Sequence, residues 1–303
     1  MIRTSGSRHP VLWGTVLALS AALGGQTLMS TPAAANRLLD EPTAVTGYRY
    51  IEKAGPLGSS PSQAVSARCP RGKVVLAGGA RIEFGGQRVL LRGSYPADPA
   101  FGQKWTAWAQ ELGAGTSNSW RVRAYAICAD KPAGLTRVHS DKAFSSSSFQ
   151  SAVRSCPTGT TLIGLGARLI GADSRVGLNN IGITSGMNAS ARAGEALSTT
   201  QQWTVVSDAL CARPLGQAFR QTGRWMSPGT SPVVTVKKNC PQGTRVFGTG
   251  LLLNGSDTTL NRLVPVGLHP TTGLASRRAL ATVSERPGTL GHWSIKAQVL
   301  CAR

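Results

Sequence analysis

The chain has 303 residues, is 41% hydrophobic and carries a formal charge of +20, with 25 of its 33 basic residues being arginine. That is enough apolar material for one large core and does not demand separate domains. The charge favours anionic partners such as acidic surface polymers, phospholipid surfaces or nucleic acid, but the basic residues are scattered, with runs no longer than pairs such as Lys237-Lys238 and Arg277-Arg278, so specific nucleic-acid binding is not expected.

Residues 1–35 read as an export signal. Arg3 and Arg8 supply positive charge, an apolar stretch runs from Val11 to Leu23, and Ala33-Ala34-Ala35 fits a small-residue cleavage site. Gly24, Gly25 and Gln26 interrupt the apolar run before it reaches spanning length. Cleavage after Ala35 leaves 268 residues with a charge of +18 and no later stretch apolar enough to cross a bilayer. A secreted protein is expected, and that address permits disulfides.

The remaining chain repeats three times. Each unit opens on Cys-Pro-x-Gly, at Cys69, Cys156 and Cys240, and closes on a tryptophan eight residues before a second cysteine: Trp120 to Cys128, Trp203 to Cys211 and Trp293 to Cys301. Successive openings lie 87 and 84 residues apart, so the unit is about 85 residues. The repeats are bounded as 36–133, 134–216 and 217–303, together forming one domain.

Along each unit the pattern is that of β-structure. Val65, Ala152 and Val236 stand four residues before the opening cysteine and mark a strand entering a turn. Pro and Gly then reverse the chain, which predicts a hairpin. Val75, Leu162 and Val246 begin an apolar strand in which Gly79, Gly166 and Gly250 recur ten residues beyond the cysteine, suggesting a bend or a close backbone approach. The glycines do not complete a dinucleotide-binding fingerprint. In the closing strand, Trp120, Val122, Ala124, Ala126 and Cys128 share one face. Their counterparts in the other units are equally apolar except for Ser207, so the tryptophans belong to the core. The opposite face, with Arg121, Arg123 and Tyr125 or Ser294, Lys296 and Gln298, suits solvent.

Threefold symmetry leaves two attractive disulfide patterns. One is within each repeat, Cys69–Cys128, Cys156–Cys211 and Cys240–Cys301; the other links successive repeats, Cys128–Cys156, Cys211–Cys240 and Cys301–Cys69. The first is preferred, each loop being worth roughly 4 kcal/mol in the chain-entropy description. No paired Cys-x-x-Cys exists, so a metal centre is not expected, and no cofactor is implied.

These openings, the glycines Gly79, Gly166 and Gly250 and the closing cysteines resemble repeats in uncharacterised secreted proteins of actinobacteria, and are faintly similar to vitelline membrane outer layer protein I. The second resemblance implies three β-sheets arranged as a prism and carries over no functional residue. Physical reasoning reaches a related fold: an all-β, pseudo-threefold repeat in which three sheets bury one another in a β-prism-like closed arrangement. A β-trefoil and three small β-domains are the alternatives.

No catalytic constellation emerges. His139, His269 and His292 fit no ligand or nucleophile spacing, and no carboxylate is found at one repeat position three times; Glu83, Glu111 or Glu195 could form a carboxylate pair only through the fold. A non-enzyme is expected. Function is sought where symmetry breaks, at Phe101, Trp105 and Trp108 with Gln103, Lys104 and Gln110 beside them. Trp105 and Trp108, three apart, point to opposite faces of a strand, and an exposed indole could stack on a sugar. Two functions follow: an extracellular binding module for carbohydrate or an anionic cell-surface polymer, and a disulfide-stabilised structural or interaction protein of the envelope or matrix.

Overall fold

The computed structural model describes residues 44–303 apart from 99, 101, 141–143, 217–218, 272–276 and 290. The export signal expected in residues 1–35 lies outside the described residues. Each repeat contributes six strands. In repeat 1 these are β1 (Arg49–Ala54), β2 (Ser62–Arg68), β3 (Val74–Glu83), β4 (Val89–Pro96), β5 (Lys104–Glu111) and β6 (Arg121–Ala129). Repeat 2 supplies β7 (Thr136–Ser140), β8 (Phe149–Arg154), β9 (Thr161–Ile170), β10 (Val176–Ile183), β11 (Ala189–Glu195) and β12 (Thr204–Ala212). Repeat 3 supplies β13 (Phe219–Thr222), β14 (Val233–Asn239), β15 (Arg245–Asn254), β16 (Leu263–Pro270), β17 (Arg278–Glu285) and β18 (Ser294–Ala302), with one turn of helix, α1 (Asp257–Leu260).

These strands form three six-stranded antiparallel sheets, none of which closes into a barrel. Sheet I runs β1-β6-β3-β16-β17-β14, sheet II β2-β5-β4-β9-β12-β7 and sheet III β13-β18-β15-β10-β11-β8. No repeat has a sheet of its own. Each gives its first, third and sixth strands to one sheet and its second, fourth and fifth to the next, so sheet sharing runs in a cycle from repeat 1 to 2, 2 to 3 and 3 to 1.

The turn at Cys-Pro-x-Gly therefore differs from the expected hairpin. Its backbone bond is present, as in Lys73 N to Pro70 O at 3.1 Å. Gly72, Gly159 and Gly243 take φ values of 78°, 79° and 80°, where a side chain would be strained. Yet β2 and β3 lie in different sheets. The local chemistry dictates a reversal but not which strand the chain pairs with next.

The two halves of a repeat face each other across the core and are clipped at both ends. At one end Cys69–Cys128, Cys156–Cys211 and Cys240–Cys301 form, the pairing preferred from the sequence, each joining two sheets. At the other end, about 26 Å along the closing strand, Trp120 Nε1 donates to Glu111 Oε1 at 2.8 Å and Trp293 Nε1 to Glu285 Oε2 at 3.1 Å. In repeat 2 the counterparts, Trp203 Nε1 and Glu195 Oε1, are buried without a bond. All three tryptophans are core residues, at most 4% exposed.

Glu111, Glu195 and Glu285 hold one position in the three repeats, since they face Val89, Val176 and Leu263 in register. This corrects the expectation that no carboxylate recurs. One extra residue between Glu111 and Trp120 hides the match from simple counting.

Neighbouring repeats meet through very short ladders: Gly267↔Arg81 and Leu268↔Ala80 in sheet I, Gly93↔Arg168 and Ser94↔Ala167 in sheet II, and Ile181↔Leu251 in sheet III. The recurring glycines explain why. A Cβ on Gly79 would fall on the carbonyl oxygen of Leu268, and one on Gly166 would come 2.6 Å from Ser94 O. Both would project from the face away from the core, so the neighbouring strand rolls over that face and creases the sheet. The crease also buries Tyr125, Asp208 and Gln298, at 2%, 0% and 1% exposure. This corrects the solvent-facing role expected for Tyr125 and Gln298; only the first residues of β6 and β18 alternate between core and surface, and β12 is buried along its whole length.

The crease makes a direct prediction. Gly79→Ala should destabilise the protein by about 1–3 kcal/mol, the usual cost of overpacking. Gly58→Ala, where an added Cβ meets nothing within 4 Å, should leave the urea midpoint within error.

Candidate functional site

The residues singled out from symmetry breaking part company in β5. Trp105 is fully buried and donates its Nε1 to Ser94 Oγ at 3.0 Å. It is not a ligand platform: it lies over Gly78, where repeats 2 and 3 have Leu165 and Thr249, while those repeats have Ala189 and Ala279 in place of Trp105. Large on small has replaced small on large, which is volume compensation. Phe101 lies outside the described residues. Gln103 serves as an anchor, its amide oxygen accepting from Val75 N at 3.0 Å and its carbonyl from Cys69 N at 2.9 Å.

Lys104, Thr106, Trp108 and Gln110 alternate with the buried residues of β5 and share its outer face. Trp108 is half-buried; its Nε1 donates to Ser62 Oγ at 2.8 Å, and the Arg92 guanidinium lies 5.1 Å from its ring centre. Arg92 itself is fully buried, bonded to the carbonyls of Ala172, Asp173 and Val176 in repeat 2. Burial lowers its pKa to about 10, opposed by the nearby charge of Asp173.

From this face of β5 a row of residues crosses all of sheet II. Ser66 and Tyr95 flank Thr106, and His139 and Gly166 flank Asp208. Along the crease runs an open cleft of about 800 Å³ lined by Tyr95, Lys104, Thr106, Arg137, His139 and Arg168. A smaller hollow of about 230 Å³ adjoins it, sharing Ala97, Leu135, Thr136 and Arg137 and adding Lys131. The larger volume falls within the range of ligand sites.

At the floor of the cleft the carboxylate of Asp208 is completely buried between two guanidiniums. Arg168 Nη1 donates at 2.9 and 2.7 Å to its two oxygens, and Arg137 Nη2 and Nε donate at 2.8 and 3.2 Å to Oδ1. Arg137 spends its remaining arm on Ala97 O in repeat 1, at 2.9 Å, and the Arg168 guanidinium lies 5.4 Å from the Tyr95 ring centre. Burial raises the Tyr95 pKa, with Arg168 opposing. The other nitrogens of Arg168, and the ammonium of Lys104, have no carboxylate partner among the described residues. Sequence reasoning found Lys104 and Trp108 but missed Tyr95, Arg168 and Asp208, which lie on other strands and in the next repeat.

The two equivalent creases are filled differently. In sheet I, Tyr125 stacks on His269 with ring centres 4.5 Å apart, and Arg121, Arg123, Glu52 and Glu83 pair among themselves. In sheet III, Gln298 exchanges two hydrogen bonds with the backbone of Ile183, at 2.7 and 2.9 Å. The carboxylates considered for catalysis are held elsewhere: Glu83 by Arg121 and Arg123 in sheet I, Glu111 by Trp120 in sheet II, while Glu195 ends β11 in sheet III.

No family model matches the chain, and no curated protein matches it.

Two measurements probe these creases. Asp208→Ala, which leaves two cations facing each other, should cost about 3–5 kcal/mol by the precedent of broken buried pairs, read as a lowered urea midpoint. Burial holds the His269 pKa below its ordinary value. The unfolded chain, titrating near 6.5, then binds more protons in acid, so stability should fall as pH drops from about 7.5 to 5. His269→Phe should show a smaller fall in the same titration.

Proposed function

We propose that this is a secreted, non-catalytic binding module for acidic polysaccharide, working through the cleft on the outer face of sheet II. The observation that carries the reading is a pair of cationic groups with spare donors, Lys104 and Arg168, beside the Tyr95 ring and the hydroxyls of Ser66 and Thr106 in one open cleft. A guanidinium already anchored on Asp208 is pre-organised to receive a carboxylate or sulfate. Hydroxyls suit sugar oxygens, and Trp108 extends the same face two residues further along β5.

Secretion is supported by the signal-like residues 1–35 together with three disulfides. Among the described residues no helix is long and apolar enough to cross a membrane. The cyclic sharing of sheets supports a β-prism-like closure of the three repeats into one domain. The same double clipping supports the alternative role, a structural or interaction protein of the envelope, but that role gives the cleft no task.

Retention of the oxidised protein on polygalacturonate and on neutral dextran, at 50 and 500 mM salt, tests the reading. Saturable binding to the acidic polymer alone is expected, weakened by salt but not abolished. Lys104→Glu should lower the affinity at least tenfold, and Gln110→Ala should leave it unchanged. Equal retention of both polymers, or an unaffected Lys104→Glu, would sink it.

A further inference from the structure

A second cationic feature lies away from the sheet II cleft, where the starts of β4, β10 and β16 come together. The residue before each of these strands is an arginine: Arg88, Arg175 and Arg262. Their carbonyls accept from the backbone N–H groups of Leu112, Ala196 and Arg286, at 2.7, 2.7 and 3.1 Å, the residues that follow the three equivalent glutamates. Leu90 and Leu112 of repeat 1, Ala196 of repeat 2 and Val264 and Val266 of repeat 3 pack into one small apolar cluster. The three arginine-bearing turns therefore surround a common point, and Arg286 adds a fourth guanidinium.

The side chains of these four residues find carbonyls or solvent. Arg175 Nη1 reaches Ser198 O at 3.0 Å, Arg262 Nη2 reaches Pro287 O at 2.8 Å and Arg286 Nη1 reaches Ala196 O at 2.6 Å. None has an ion-pair partner among the described residues, and Arg262 Nε is buried without any acceptor. Burial, then the charges of Arg262 and Arg88, lower the pKa of Arg286, so its guanidinium lies in the fields of the other two.

Beside them, at the junction of repeats 1 and 3, is an open pocket of about 370 Å³ whose wall includes Gln87, Ser231, Glu285, Arg286 and Thr289. Glu285 is the one carboxylate there, and its Oε2 is turned onto Trp293 Nε1. Three like charges near one another, with one acid in the pocket wall, represent electrostatic repulsion that a bound anion would relieve.

We propose that this pocket binds a compact polyanion bearing two or more phosphate or sulfate groups, with Arg286 in its wall and two further arginines beside it, Arg262 bonded to Pro287 of the wall and Arg88 next to Gln87. Guanidinium forks match the tetrahedral oxyanion better than single ammonium groups do. The pocket is distinct from the polysaccharide cleft, and the two stand or fall separately.

Calorimetric titration of the oxidised protein at 150 mM salt with inorganic tripolyphosphate, and in parallel with poly(glycerol phosphate), tests it. One saturable site for tripolyphosphate is expected. Arg88→Glu, at an exposed residue, should weaken it at least tenfold, Arg88→Lys by less, and Lys104→Glu in the sheet II cleft not at all. Tighter binding of the polymer would assign the phosphate to a wall-type chain, and tighter binding of tripolyphosphate to a free polyphosphate. Absence of saturable binding, or an Arg88→Glu titration matching the parent, would overturn the proposal. Loss on Lys104→Glu alone would overturn it too, by moving the anion to the cleft.

Discussion

Half a repeat is a three-stranded sheet with one long edge of unpaired backbone, and that edge must find a partner. Exposed edges invite pairing with other chains, and three short strands are barely self-sufficient. Here β3, β9 and β15 each receive the fourth strand of another repeat, β16, β4 and β10. Because every repeat both gives and receives, the pairing closes on itself after three units. The creases, the glycines and the clefts all follow from how those few junction residues meet.

With the junctions so short, something else must hold the two layers of each repeat in register. The disulfide and the Trp–Glu bond do this from opposite ends of the closing strand. The indole N–H is a buried donor that would cost about 1–3 kcal/mol if left unpaired, and a glutamate at the end of the adjoining layer satisfies it in repeats 1 and 3. Symmetric residues are thus spent on holding layers together, and they leave the outer faces free to vary.

The repeat, its strand character, the cysteine pairing and the buried tryptophans were legible because each rests on local spacing. Alternation along the closing strand identified its core face without any neighbour. Sheet membership was not legible: a Pro-Gly turn looks the same whether the next strand pairs back or crosses to another sheet. The burial of Tyr125, Asp208 and Gln298 was hidden for the same reason, since it depends on a strand from another repeat rolling over them. Trp105 misled because its partner in volume, Gly78, is far away in sequence and looks like an ordinary strand glycine. The site was half visible, with Lys104 and Trp108 in one strand, while Arg168 and Asp208 come from the next repeat.

The three creases pose one packing problem, a fully buried position facing a recurring glycine, and solve it with three chemistries. Tyr125 seals sheet I by stacking on His269, a contact that consumes both ring faces it uses. Gln298 seals sheet III by imitating a strand, trading both amide groups for those of Ile183. Each of these solutions is complete in itself. Asp208 seals sheet II with a charge, and a buried charge requires compensating cations whose donors outnumber the oxygens they serve. Two guanidiniums on one carboxylate leave donors over, and these face an open cleft. The polarity of the sheet II face is therefore a consequence of how its junction is sealed, and an anionic ligand would complete the neutralisation that Asp208 begins.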